Sequence, residues 1–137
     1  MRLKLAPLTK HRTAILSIHP CHAGRIYSGA KTWEFRRVLP GFDVGDLVLI
    51  YETSPVSLVT GEFHVGATTR DQPAQLAALE SNAEERATLI AYLKGAERCG
   101  ALRIVNPVRW PEPRTLTRLG ISSPPQSYRY VNIPVDR

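Results

Sequence analysis

Ser28-Gly-Ala-Lys-Thr-Trp-Glu-Phe-Arg-Arg37 is the stretch on which the reading of this 137-residue chain turns. Before it, Ala23, Ile26 and Tyr27 recur at helical spacing, and Pro20 sits where the first turn of a helix tolerates a proline. Gly29 stands where a helix ends in a left-handed cap, so the spacing predicts a helix over residues 21–28 that delivers the chain to Lys31. From residue 32 to 38 the period changes to two. Thr32, Glu34 and Arg36 then share one face of a strand, while Trp33 and Phe35 share the other and turn to the core.

Working outward, residues 13–18 form a short apolar, β-leaning run and predict a first strand ahead of that helix. Pro40-Gly41 and Gly45-Asp46 bracket a turn before a buried strand over 47–51. Thr53-Ser54-Pro55 interrupts, and 56–68 predicts one long bent strand or a pair, with Gly61 and Gly66 as bulges or corners. Residues 73–79 and 82–93 carry the helical pattern, with Asn82 as N-cap and Gly95 past the end. A strand follows over 102–110, where Pro107 points to an edge or a bulge; Pro111, Pro113, Pro124 and Pro125 mark a loop-rich tail, and 128–133 adds a last strand. The expected class is α+β: a small mixed barrel of about five to six strands with short flanking helices, in one domain over 1–137.

Composition narrows the function classes. Eighteen Lys and Arg against twelve Asp and Glu give +6, a balance that favours phosphate backbones or anionic nucleotides. Cys21 and Cys99 form no CxxC pair, which argues against a zinc site and fits a reduced, cytoplasmic setting. The start, Met1-Arg-Leu-Lys-Leu-Ala-Pro, has no continuous apolar core, and no run of about eighteen apolar residues occurs, so neither a signal peptide nor a membrane span is expected. P-loop, G-x-G-x-x-G, G-x-S-x-G and H-E-x-x-H patterns are all absent, which removes support for NTP hydrolysis, dinucleotide chemistry, a serine triad and a zincin. No cofactor is called for.

The chemistry-bearing residues gather around the opening stretch. Lys31 brings a compact cation beside Glu34 and Arg36, a cluster that either grips a phosphate, sets up proton transfer, or serves as an ion-paired network closing the barrel. Arg37 continues the basic run. With Arg25, Arg109, Arg114, Arg118 and Arg129 it gives a phosphate-facing rim. Tyr51, Tyr128 and Tyr130 are the rings available to stack a base, Tyr128 favoured by its polar neighbour Ser127. Ser17, Ser54 and Thr32 offer hydroxyls, and Glu62 is the candidate second carboxylate. His19 and His22 flank Cys21, but three such groups fall short of the usual four metal ligands, so His19 is placed as a cleft-lining or capping residue and no metal is expected.

The same stretch resembles the G-x-K-x-x-E-x-R signature of ASCH domains, with Gly29, Lys31, Glu34 and Arg36 at its fixed positions. The Gly45-Asp46 turn into 47–51, and Pro-Gln-Ser-Tyr-Arg-Tyr near the end, resemble that family as well. The resemblance implies a PUA-like β-barrel whose motif lines a cleft, with RNA, another single-stranded nucleic acid, or a nucleoside or nucleotide as partner. Some small members hydrolyse N4-acetylcytidine and at least one cuts single-stranded RNA. In the amidohydrolases the motif Lys acts with a Thr three positions on and a Glu from elsewhere; here that third position is Glu34. The leading expectation is a binding module with Lys31 and Arg36 on phosphate or carbonyl oxygens and Glu34 on donor groups. The enzymatic alternative uses Lys31 with Glu34 or Glu62, and a third reading docks a protein partner through the basic surface or the proline-rich tail.

Overall fold

Aliphatic and β-branched runs fold as strands because each has a face to bury, and turn residues punctuate them. The computed structural model describes residues 11–132. The amino-terminal segment expected to lack a leader, and Ile133 of the last expected strand, lie outside the described residues. The elements are β1 (Thr13–Ile18), α1 (Pro20–Ser28), β2 (Trp33–Arg36), β3 (Leu47–Glu52), β4 (Leu58–Arg70), α2 (Pro73–Ala77), α3 (Ala83–Leu93), β5 (Gly100–Arg114) and β6 (Tyr128–Val131).

The strands form one mixed sheet in the order β2-β5-β4-β3-β1-β6, curled into a half-barrel. β1 and β3 run parallel, Ile15 opposite Leu49; the other pairings are antiparallel. Alternation along β1 sends Ala14, Leu16 and Ile18 to one face, where α1 packs with Ala23 and Ile26. Ile15 goes to the opposite face with Leu49, Trp110, Leu119 and Ile121, the last two brought there by the tail. A third cluster, Phe35, Leu76, Leu93, Cys99 and Ala101, with Trp33 against it, seats α2 and α3 on β2 and β5. The aromatic face of β2 is therefore a core face, and each fully buried Leu or Ile contributes roughly 1.5–3 kcal/mol.

Two expectations are corrected. β5 continues through Pro111 and Pro113 to Arg114, where a loop was expected. β2 pairs only with Gly100–Arg103 of β5, so the far half of β5 has one unpaired edge, and a proline without an N–H fits there. β2 stops at Arg36, leaving Val38 in an isolated bridge to Arg98. The long segment after the Ser54 turn is one strand with three register shifts, and Gly61 and Gly66 sit at two of them. No helix among the described residues is long and apolar enough to cross a membrane.

Candidate functional site

The cleft is built by α1, the turn after it, β2 and α3. His19 precedes α1, Pro20 opens it, and Gly29 closes it at φ 85°, a left-handed conformation that glycine adopts without steric cost. Lys31 N–H then donates to Arg25 O at 3.0 Å. This fixes the lysine at the mouth of β2, and Glu34 and Arg36 follow on the face opposite Trp33.

These three side chains form one network. Lys31 and Glu34 are 6% and 8% exposed. Arg36 Nη2 lies 2.9 Å from Glu34 Oε2, and Lys31 Nζ lies 3.9 Å from Glu34 Oε1. The ammonium also stands 5.0 Å from the Phe35 ring centroid, within cation–π range. Arg36 reaches across the opening of the half-barrel: Nη2 donates to Ser17 O at 3.1 Å and Nη1 to Ser127 Oγ at 3.2 Å. One guanidinium thus links β2, at one edge of the sheet, to β1 and the approach to β6 at the other.

The network floors a cavity of about 280 Å³ whose lining includes Ser17, His19, Lys31, Glu34 and Arg36. Its opposite wall comes from His22 of α1, Glu80 between α2 and α3, and Glu85, Thr88, Leu89 and Tyr92 of α3. Glu80 is tied down: its Oε2 accepts from Arg25 Nη2 at 3.1 Å and from Asn82 N–H at 3.0 Å. Burial pushes its carboxyl up, but the hydrogen bonds and the charges of Arg25 and Lys31 more than offset that and hold it below the usual range. His22 is held below its ordinary value by burial first and by Lys31 second, against opposing effects of Glu34 and Glu85. Both shifts mean that the unfolded chain binds these protons first. Stability is therefore expected to fall as pH drops from about 6.5 through the His22 range, and again below about 4.5 as Glu80 protonates. Thermal melts across pH 4–8 check this, and His22→Asn should flatten the upper limb alone.

Most of the remaining sequence candidates are placed elsewhere. Gly29 is the exposed cap of α1. Thr32 is exposed and its carbonyl accepts from Ile104 N–H. Arg37, read as part of the phosphate rim, donates to Tyr92 O at 2.5 Å and Lys94 O at 3.1 Å, satisfying carbonyls at the end of α3. Tyr51 is core on the tail face, and Ser54 lies in the exposed turn before β4. Glu62 shares the tail face, where its Oε1 accepts from Trp110 Nε1 at 2.9 Å; the carboxylates that join the cleft from elsewhere in the chain are Glu80 and Glu85. Ser127 is at the mouth through Arg36. Tyr128, 40% exposed, stands beyond it against Phe42 and Tyr130. Arg25 and Arg109 are paired with Glu80 and Glu52.

A mixed, curled half-barrel with a helix after its first strand and a Lys–Glu–Arg cleft beside it defines a protein of the PUA-like class. The chain belongs to the ASCH domain family, whose profile matches residues 16–107. It is similar to the crystal structure of ASCH from Zymomonas mobilis, at 28% identity over 88% of this chain and 88% of that chain with a TM-score of 0.74. A mutant of the same protein superposes over 89% of this chain and 91% of that chain, at 27% identity and a TM-score of 0.75. The N-terminal domain of Staphylothermus marinus McrB, 8% identical over 83% and 84% with a TM-score of 0.55, shares the fold alone. No curated protein matches the chain at a significant level.

Proposed function

We propose that this ASCH domain is a cytoplasmic nucleobase-binding module: the cleft receives one unpaired base of RNA or another single strand, or a free nucleoside or nucleotide, and leaves sugar and phosphate outside. The observation that carries this reading is the lining of the cavity. At about 280 Å³ it lies near the lower limit of small-ligand sites, roughly 300–1,000 Å³, so it suits a single base and excludes a duplex. Its two cations, Lys31 and Arg36, are matched against three carboxylates, Glu34, Glu80 and Glu85. A phosphate inside would meet carboxylates at every turn, whereas a neutral heterocycle finds donors and acceptors on the walls and apolar contact with Ile18, Phe35 and Leu89. Phosphates of a strand would run over the positively charged exterior of a +6 chain, which makes affinity fall with salt.

Fluorescence anisotropy with short single-stranded RNA tests this. Binding is expected at low ionic strength, weakening as salt rises, and about tenfold or more weaker in Lys31→Ala, the loss typical of a hydrogen bond from a charged donor. Absence of binding to RNA, DNA and nucleosides at low salt, or full affinity in the variant, sinks the reading. A hydrolase is the second reading, favoured by a buried lysine that shares its cavity with Glu34 and Glu80, the kind of pairing acid–base chemistry needs. Release of acetate from N4-acetylcytidine, abolished by Lys31→Ala, would establish it in place of simple binding.

A further inference from the structure

α3 begins with a capping arrangement that has been rewired. Asn82 Oδ1 accepts from the backbone N–H groups of Glu84 and Glu85 at 3.0 and 3.1 Å. In a full capping box the acidic side chain at the third helical position reaches back to the N–H of the cap residue. Glu85 occupies that position, but Asn82 N–H already donates to Glu80 Oε2 at 3.0 Å. The reciprocal half of the box is taken by a carboxylate from outside the helix. The Glu85 side chain is left half-buried on the cavity wall, its carboxylate without a hydrogen bond or ion pair among the described residues.

The other two carboxylates of the cavity are engaged on both oxygens, Glu34 by Lys31 and Arg36 and Glu80 by Arg25 and Asn82. Their positions are set by the protein before any ligand arrives. Glu85 differs in having its acceptor capacity unspent on a partly buried wall of the cleft, where an acceptor facing a ligand donor contributes and one facing a ligand carbonyl repels. The titratable side chains that share this wall are His22, Glu80 and Tyr92, and none of them forms an ion pair or hydrogen bond with the Glu85 carboxylate among the described residues.

We propose that Glu85 determines specificity in this cleft by accepting from an exocyclic amino group, so that the site selects amino-bearing bases over their amino-free counterparts. This rests on the cleft being a base site. The ligand class is thereby narrowed to cytosine- or adenine-type bases whose amino edge meets the α3 wall.

The test uses two nearly isosteric pairs, cytidine against uridine and adenosine against purine riboside, titrated into the intact protein with NMR shifts as readout. For whichever pair the cleft binds, the wild type should prefer the amino-bearing member by about tenfold or more, the range for a hydrogen bond to a charged acceptor. Glu85→Gln, which supplies both an acceptor and a donor, should bring the ratio close to one. Glu84→Gln, on the exposed side of the same turn, should leave it unchanged. Equal binding of both members by the wild type, or a preference that survives Glu85→Gln, overturns the inference while leaving a base-binding cleft in place. If none of the four nucleosides binds, the base-site reading falls and takes this one with it.

Discussion

Glu34→Ala is expected to destabilise the protein by about 3–5 kcal/mol, the range for removing one partner of a buried ion pair. Among the described residues the carboxylate is the one counter-ion of two neighbours, Arg36 at 2.9 Å and Lys31 at 3.9 Å, and both are largely out of water. Glu34→Gln keeps an acceptor for Arg36 and should cost less. The informative comparison is a triple replacement of Lys31, Glu34 and Arg36 by Met, Leu and Met. If the network exists only to close the half-barrel, apolar residues of similar volume should recover most of the lost stability, and ligand binding should be unaffected. If it exists for the cleft, stability recovers and binding disappears. Urea unfolding read as a shift in midpoint at constant slope measures the first quantity. A Glu34→Ala midpoint equal to wild type would show the pair to be energetically idle.

Gly61→Ala is expected to be comparably damaging for a different reason. A Cβ there would lie 2.2 Å from Val108 O and 2.5 Å from Tyr27 Oη. Overpacking ordinarily costs about 1–3 kcal/mol because side chains give way; here the nearer obstacle is the backbone of β5, so about 3 kcal/mol or more is expected, and a melting temperature lower by roughly 10 °C. Tyr27 has little room to move. Its hydroxyl is 2.8 Å from Thr60 Oγ1, the Arg109 guanidinium stacks 4.2 Å from its ring centroid, and burial pushes its pKa up to about 12. Tyr27→Phe should therefore fail to rescue Gly61→Ala, since it removes the farther clash and keeps the nearer one. A rescue to wild-type melting would locate the strain in the side chain.

The half of the site nearest the signature was legible because its determinants are local. A proline, a helical period, a glycine at the cap and an alternation of two place Lys31, Glu34 and Arg36 from residues 20–36 with no knowledge of the rest. The opposite wall was not legible for the converse reason: Glu80, Glu85, Thr88 and Tyr92 come from an insertion about fifty residues on, and only tertiary packing through Leu76 and Leu93 brings it over the cleft. One clue was present. Asn82 was recognised as a cap, and a carboxylate two residues before a helix and another three residues into it are both held close to that helix start. Glu62 went to the wrong face because strand alternation states which residues share a face without stating which face, and the register shifts in β4 break the count. The extension of β5 past Pro111 was hidden because proline tolerance depends on whether a neighbour strand is paired there, which the sequence of β5 does not record.

The pairing of β1 with β6 has a consequence for synthesis. Thr13 faces Val131 and Leu16 faces Tyr128, while Ser17 Oγ donates to Pro125 O at 2.6 Å, a span of more than a hundred residues. Contacts this distant raise the entropic barrier to folding and slow it relative to chains with local pairing. On the ribosome, β1 leaves the exit tunnel well before β6 and acquires its parallel neighbour β3, but its outer edge stays open until β6 has emerged. During that interval the nascent chain presents an apolar strand edge of the kind that recruits other chains. The mouth of the cleft, where Arg36 meets Ser17 and Ser127, is assembled in that same step, so a chain that stalls before residue 125 carries most of the core and none of a finished site.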